Sequence, residues 1–127
     1  GQRWTFRTSG SGVSGTTVRT ITAVDLESGE VTYDERALLE GAEPEVNAGQ
    51  TWSPGELAST FEGPDVKTER KVFEVSGLKL DCDVVMTGQG DLASTTWTAA
   101  RDGRVVFPGV VKTTEGRATV SELVKVE

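Results

Sequence analysis

The sequence predicts an all-β fold: a single, strongly curved antiparallel meander sheet, half-barrel-like, with at most one short helix. Three observations carry this reading. Glycines stand in turn-like pairs at an even spacing, as in Ser76-Gly77, Gln89-Gly90, Asp102-Gly103 and Glu115-Gly116. The runs between them are rich in Val and Thr, whose branched side chains suit a pleated surface. One run, Leu78–Met86, alternates cleanly: Leu78, Leu80, Cys82, Val84 and Met86 interleave with Lys79, Asp81, Asp83 and Val85. Successive strand side chains point to opposite faces, so the first set lines a core and Asp81 and Asp83 face water.

Taken in order, the predicted strands are Arg3–Thr8, Thr16–Leu26, Glu30–Leu38, Val66–Val75, Leu78–Met86, Leu92–Arg101, Val105–Thr114 and Arg117–Val126. Hairpin turns are expected at or near Gly29, Gly77, Gly90, Gly103 and Gly116, because tight hairpins need the positive φ that glycine reaches without strain. Pro108 has no N–H to give a ladder, so it marks an edge, bulge or bend. The stretch from Glu40 to Pro64 breaks the rhythm with Pro44, Pro54, Pro64 and several acids. Ser53, Pro54 and Glu56 fit a capped helix start, which makes Pro54–Glu62 a short helix, another strand or an ordered loop. Gly1-Gln2-Arg3-Trp4-Thr5 is echoed by Gly49-Gln50-Thr51-Trp52-Ser53, as two half-domains each opening on a Trp strand would require, or as chance over five residues would allow.

The 127 residues amount to one domain, residues 1–127, long enough to bury a core without staples. A net charge of −7 with a pI near 4.6 disfavours nucleic acid and anionic membrane surfaces as partners. No run approaches the ~20 apolar residues of a transmembrane helix. The chain opens on Gly1 rather than Met, as it would after removal of a leader peptide.

Few chemistries remain open. The chain has no histidine, which removes Ser-His-Asp and Cys-His nucleophile systems and every His-based metal site. Its one cysteine, Cys82, lies on the apolar face of its strand and reads as an inert core thiol. Gly10-Ser11-Gly12-Val13-Ser14-Gly15 spells a dinucleotide-binding fingerprint, but that motif needs a helix after it. The β-branched run Thr16–Thr22 follows instead, so a hairpin loop is expected. Asp81 and Asp83 share the outer face of their strand and could hold Ca²⁺ weakly, the acidic loop 25–30 lacks EF-hand spacing, and both read as solvated faces. No catalytic, metal or cofactor-binding residue is therefore assigned, and no cofactor is expected.

Tryptophan completes the set of candidates. Trp4 and Trp97 sit in predicted strands and read as core residues. Trp52 sits in the irregular stretch, where binding residues concentrate. With Leu57 and Phe61 it forms the candidate apolar groove or plug, covering the concave face of a half-barrel.

The second half shows a recognisable succession. Val72 and Phe73 in a charged strand precede a Ser76-Gly77 turn, then Leu80-Asp81-Cys82, Thr96-Trp97-Thr98, Phe107-Pro108-Gly109-Val110-Val111-Lys112 and Glu122-Leu123-Val124. This resembles uncharacterised secreted or lipoprotein β domains of bacteria, relatives of the lipoprotein-carrier half-barrels. The resemblance covers about the last 60 residues, and Gly49-Gln50-Thr51-Trp52 extends it upstream. It implies a curved sheet wrapped around a helix or an apolar ligand, and an extracytoplasmic location, whether periplasmic, envelope-anchored or secreted. It brings no catalytic or binding residues with it. The expected function is a non-catalytic binding or structural module of the cell envelope, its partner an apolar small molecule or an envelope protein. The alternatives are a carrier of hydrophobic ligands or lipoproteins and, behind it, a hydrolase using two surface carboxylates.

Overall fold

A computed structural model describes residues 1–10, 13–55, 66–88, 93–116 and 118–127. These described residues form nine strands: β1 (Arg3–Gly10), β2 (Val13–Val24), β3 (Val31–Leu39), β4 (Glu45–Trp52), β5 (Val66–Val75), β6 (Leu78–Thr87), β7 (Ser94–Arg101), β8 (Arg104–Glu115) and β9 (Ala118–Val126). All pair antiparallel in one open sheet, in the order β4-β3-β2-β1-β9-β8-β7-β6-β5. Two meanders thus step outward from the chain termini, which meet at the centre where Trp4 pairs with Val126. Among the described residues there is no helix, and so none long and apolar enough to cross a membrane.

Local chemistry places the turns. Ser76 and Gly77 take φ of 49° and 79°, and Asp102 and Gly103 take 54° and 78°. Two successive positive φ angles make the tight turn whose twist matches a hairpin. Gly29 and Gly116 also sit at turns, whereas Gly90 lies outside the described residues. The second strand ends earlier than its Val/Thr pattern predicts, at Val24 rather than Leu26. Asp25 Oδ1 accepts hydrogen bonds from Glu27 N (2.9 Å) and Ser28 N (3.3 Å), and this local turn competes with the ladder. Those two donors hold the Asp25 carboxyl below the usual carboxylate range. Leu26 is left 93% exposed at the tip.

β4 corrects the reading of residues 40–64 as a single break in the meander. Its sequence gives only Val46, Thr51 and Trp52 as strand formers, and nearly all of it is exposed. It holds as an edge strand through backbone bonds to β3 alone, with a register shift between Tyr33 and Glu35. Gly49 N donates there to Asp34 Oδ1 at 3.0 Å. Residues 56–62 of the Pro54–Glu62 segment, with Leu57 and Phe61, lie outside the described residues.

The sheet curls hard. Strands lie ~4.8 Å apart, so a flat sheet would separate β4 from β8, five positions away, by about 24 Å. Yet the Trp52 and Phe107 ring centres are 5.6 Å apart. The other wing curls too, since Val126 N at the end of β9 donates to Ser76 Oγ in the β5–β6 turn. The core inside this curl includes Trp4, Phe6, Phe73, Cys82, Val84, Ala99, Val111 and Leu123.

The predicted alternation of β6 holds at its centre and fails at one end. Cys82 and Val84 are fully buried, Leu80 and Met86 are half-buried, and Leu78 is 38% exposed. Leu78 follows the turn directly and stays exposed, although its cross-strand partner Val75 is buried. Asp81 faces solvent as expected, while Asp83 is half-buried beneath Arg70, with Nη1 and Oδ1 2.8 Å apart.

Burial pushes the Cys82 thiol up to about 11. Unfolded, it would ionise near its ordinary value of ~8.5. The folded state therefore keeps a proton that the unfolded state gives up, and Cys82 lowers stability as pH rises from ~8.5 through about 11. Below that window it has no such effect. We expect a thiol reagent to label Cys82 only as fast as the protein unfolds, with the rate accelerating in denaturant. Rapid labelling of native protein at neutral pH would contradict the burial of this residue.

Candidate functional site

Strand β8 builds the site by leaving the ladder. Thr98 pairs with Val110 and Ala100 with Val105, so β7 spends one residue where β8 spends four, Val106–Gly109. Pro108, which cannot donate, sits in this bulge as its chemistry predicts. The bulge carries Phe107 into the concavity.

There Phe107 becomes the hub of an aromatic cluster. Its ring centre lies 5.2 Å from Trp4 on β1, at 89°, and 5.6 Å from Trp52 on β4, at 87°. Tyr33 on β3 approaches to 6.0 Å at 57°. Edge-to-face contacts at these separations are the favoured aromatic geometry. Gly109 lies against Trp52: a Cβ there would stand in contact with Trp52 Nε1, at 3.4 Å, and it is the φ of 79° that favours glycine at this position.

Register brings one ion pair to the same face. Trp4 pairs with Arg19, and Arg19 with Glu35, so these side chains share the face that holds the aromatic rings. Arg19 Nε donates to Glu35 Oε1 at 3.0 Å, and the guanidinium carbon lies 5.1 Å from the Phe6 ring centre and 5.2 Å from that of Tyr33. The charge is thus neutralised and stacked within an otherwise apolar wall.

The chain leaving β4 is strapped over this cluster. Ser53 Oγ donates to Glu30 Oε2 at 3.4 Å, Pro54 packs on Gly29, and Gly55 O accepts a 2.8 Å bond from Val105 N on β8. Trp52 is therefore held between β3 and β8 from both directions. The echo of Gly1–Thr5 in Gly49–Ser53 places both tryptophans against Phe107. It does not mark two half-domains opening alike, since Trp4 stands second in β1 whereas Trp52 ends β4.

Of the candidate plug residues, the structure thus places Trp52 in the concavity. Leu57 and Phe61 are outside the described residues. Sequence reasoning missed Phe107 and Tyr33, for which the Pro108 bulge was the one available signal. Trp97, read as core, is half-buried: it packs on Phe73 at 6.1 Å and is flanked by the ammonium groups of Lys71 and Lys112 at 5.5 and 5.8 Å. Gly10 ends β1 and Val13–Gly15 open β2, with which Gly10 pairs through Val13, so the fingerprint leads into a strand and not a helix. A separate open cleft of about 510 Å³ lies at the far end of β2 and β3, lined by Arg7, Ser14, Thr16, Leu38, Leu39 and Glu40. Its one lining carboxylate, Glu40, accepts a bond from Ser14 Oγ.

No protein-family model, curated protein or solved structure matches the chain.

Proposed function

We propose that this domain is a non-catalytic binding or structural module of the bacterial cell envelope, whose concave face is stoppered by its own Trp52 and Phe107. The stack of Trp52 on Phe107 on Trp4 is the observation that carries this reading. A half-barrel that carried an apolar ligand permanently would keep that face open. Here an incoming ligand has to displace Trp52 and break the strap at Gly55–Val105. Glu35, which register brings beside this cluster, is committed to its ion pair with Arg19 and so is not free to act as one of a hydrolytic pair.

The stopper sets a penalty. Burying an aromatic side chain contributes ~1.5–3 kcal/mol when complete. Trp52 is half-buried but gains from its edge-to-face contact, so displacing it weakens an apolar ligand by about 10- to 100-fold. Titration with an environment-sensitive apolar dye, and with a fatty acid in competition, measures this. The native protein is expected to bind weakly or not at all, and Trp52→Ala to bind detectably. Tight, saturable binding by the unmodified protein would overturn the stopper and favour a carrier. Absence of binding in both forms would leave only the structural role.

A further inference from the structure

The two edges of the sheet are not equivalent. β4 is blunted by its register shift, and its last residue is tucked under the curl. β5 is not. It pairs with β6 through ten unbroken residue pairs, has among the described residues no neighbour on its other side in the strand order, and residues 67–72 are all exposed. Its C-terminal end, Phe73 and Val75, is buried toward β9, so the open edge runs from Val66 to Val72. An unpaired row of backbone N–H and C=O groups is a template for another strand.

The charges on this edge select what the other strand is. We propose that β5 pairs antiparallel with β5 of a second copy of this chain, about a two-fold axis through Arg70. In that register Glu69 of each copy faces Lys71 of the other, twice, and Thr68 faces Val72, twice. The intrachain pair of Lys71 Nζ and Glu69 Oε2, 3.3 Å apart, then becomes an alternating cluster of four charges. Val72, 53% exposed in the single chain, gains a cross-strand neighbour. Arg70 meets its twin on the axis with its charge already answered, Nη1 by Asp83 Oδ1 and Nη2 by the Ala100 carbonyl, each at 2.8 Å.

Neighbouring registers are rejected by the same residues. Partners across an antiparallel ladder must present their backbone groups in phase, so the symmetric register slips in steps that move the axis by a whole residue. Moving it to Glu69 sets Glu69 on Glu69 and Lys67 on Lys71. Moving it to Lys71 sets Lys71 on Lys71. A protective edge of one charge sign would repel every copy; this mixed edge repels itself in the adjacent registers and attracts in the one centred on Arg70. A two-fold contact of this kind is also the commonest symmetry of soluble oligomers. The contact is short, so it belongs to the small, reversible class of interfaces. The net charge of −7 on each copy opposes it at low salt.

Sedimentation velocity at near-physiological salt, from roughly 10 µM to 1 mM, tests the pairing. The expected mass rises with concentration from 13.5 kDa toward twice that value and stops there. Glu69→Lys places lysine opposite lysine and Lys71→Glu places glutamate opposite glutamate, so each variant alone stays monomeric. Mixed one to one, they restore both attractive pairs and the dimer returns. A chain carrying both changes also regains the homodimer, which shows that the single variants failed by charge and not by unfolding. Three results each overturn the proposal: a native protein monomeric throughout, single variants that associate like the native chain, or a mixture and a double variant that both stay monomeric.

Discussion

Leu123→Ala is expected to lower the unfolding free energy by about 2–5 kcal/mol, a large share of the ~5–15 kcal/mol that holds a domain of this size together. Leu123 is 1% exposed and, among the described residues, the largest of the fully buried side chains. It faces Phe6 across the β1–β9 ladder, at the seam where the two meanders join. Phe6 is held opposite it by that backbone pairing, so the site collapses only in part around the lost methyl groups and keeps a cavity. Leu80→Ala, at a half-buried position, is expected to cost less. Urea unfolding checks both: the midpoint of Leu123→Ala should fall well below that of Leu80→Ala, with the slope unchanged. An equal or smaller loss at Leu123 would show that the seam is not the centre of the core.

Phe107→Ala is the second large effect, expected in two readouts at once. Truncating a buried phenylalanine costs ~3–5 kcal/mol, and half-burial places Phe107 toward the lower end. The same change removes the surface on which Trp52 and Trp4 rest, so apolar dye should bind where the native protein excludes it. A double-mutant cycle with Trp52→Ala separates the direct contact from general loosening, with an expected coupling of about 0.5–1.5 kcal/mol. Additive losses would mean that the two rings stabilise the fold independently and that no stopper exists.

How far the sequence reached follows from which signals are local. The alternation of β6 and the turns at Ser76-Gly77 and Asp102-Gly103 are written in adjacent residues, and the strands around them were legible. β4 was not, because an exposed edge strand is held by its neighbour's backbone and needs no apolar pattern of its own. The end of β2 was misjudged because Leu26 continues the β-like composition while Asp25, one residue earlier, bends the chain. Trp52 could be singled out from its irregular surroundings. Its partner could not, since Phe107 reaches it only through the curl of four intervening strands, and nothing in either local sequence records that meeting. Pro108 announced a bulge in β8 but not what the bulge delivers.

The claim that the domain fills its own concave face comes down to one contact. In the native protein at neutral pH, nuclear Overhauser cross-peaks from the Trp52 indole N–H to the Phe107 ring and to the Gly109 α protons are predicted, as their closeness requires. An assigned Trp52 indole with cross-peaks to neither residue would contradict the stopper.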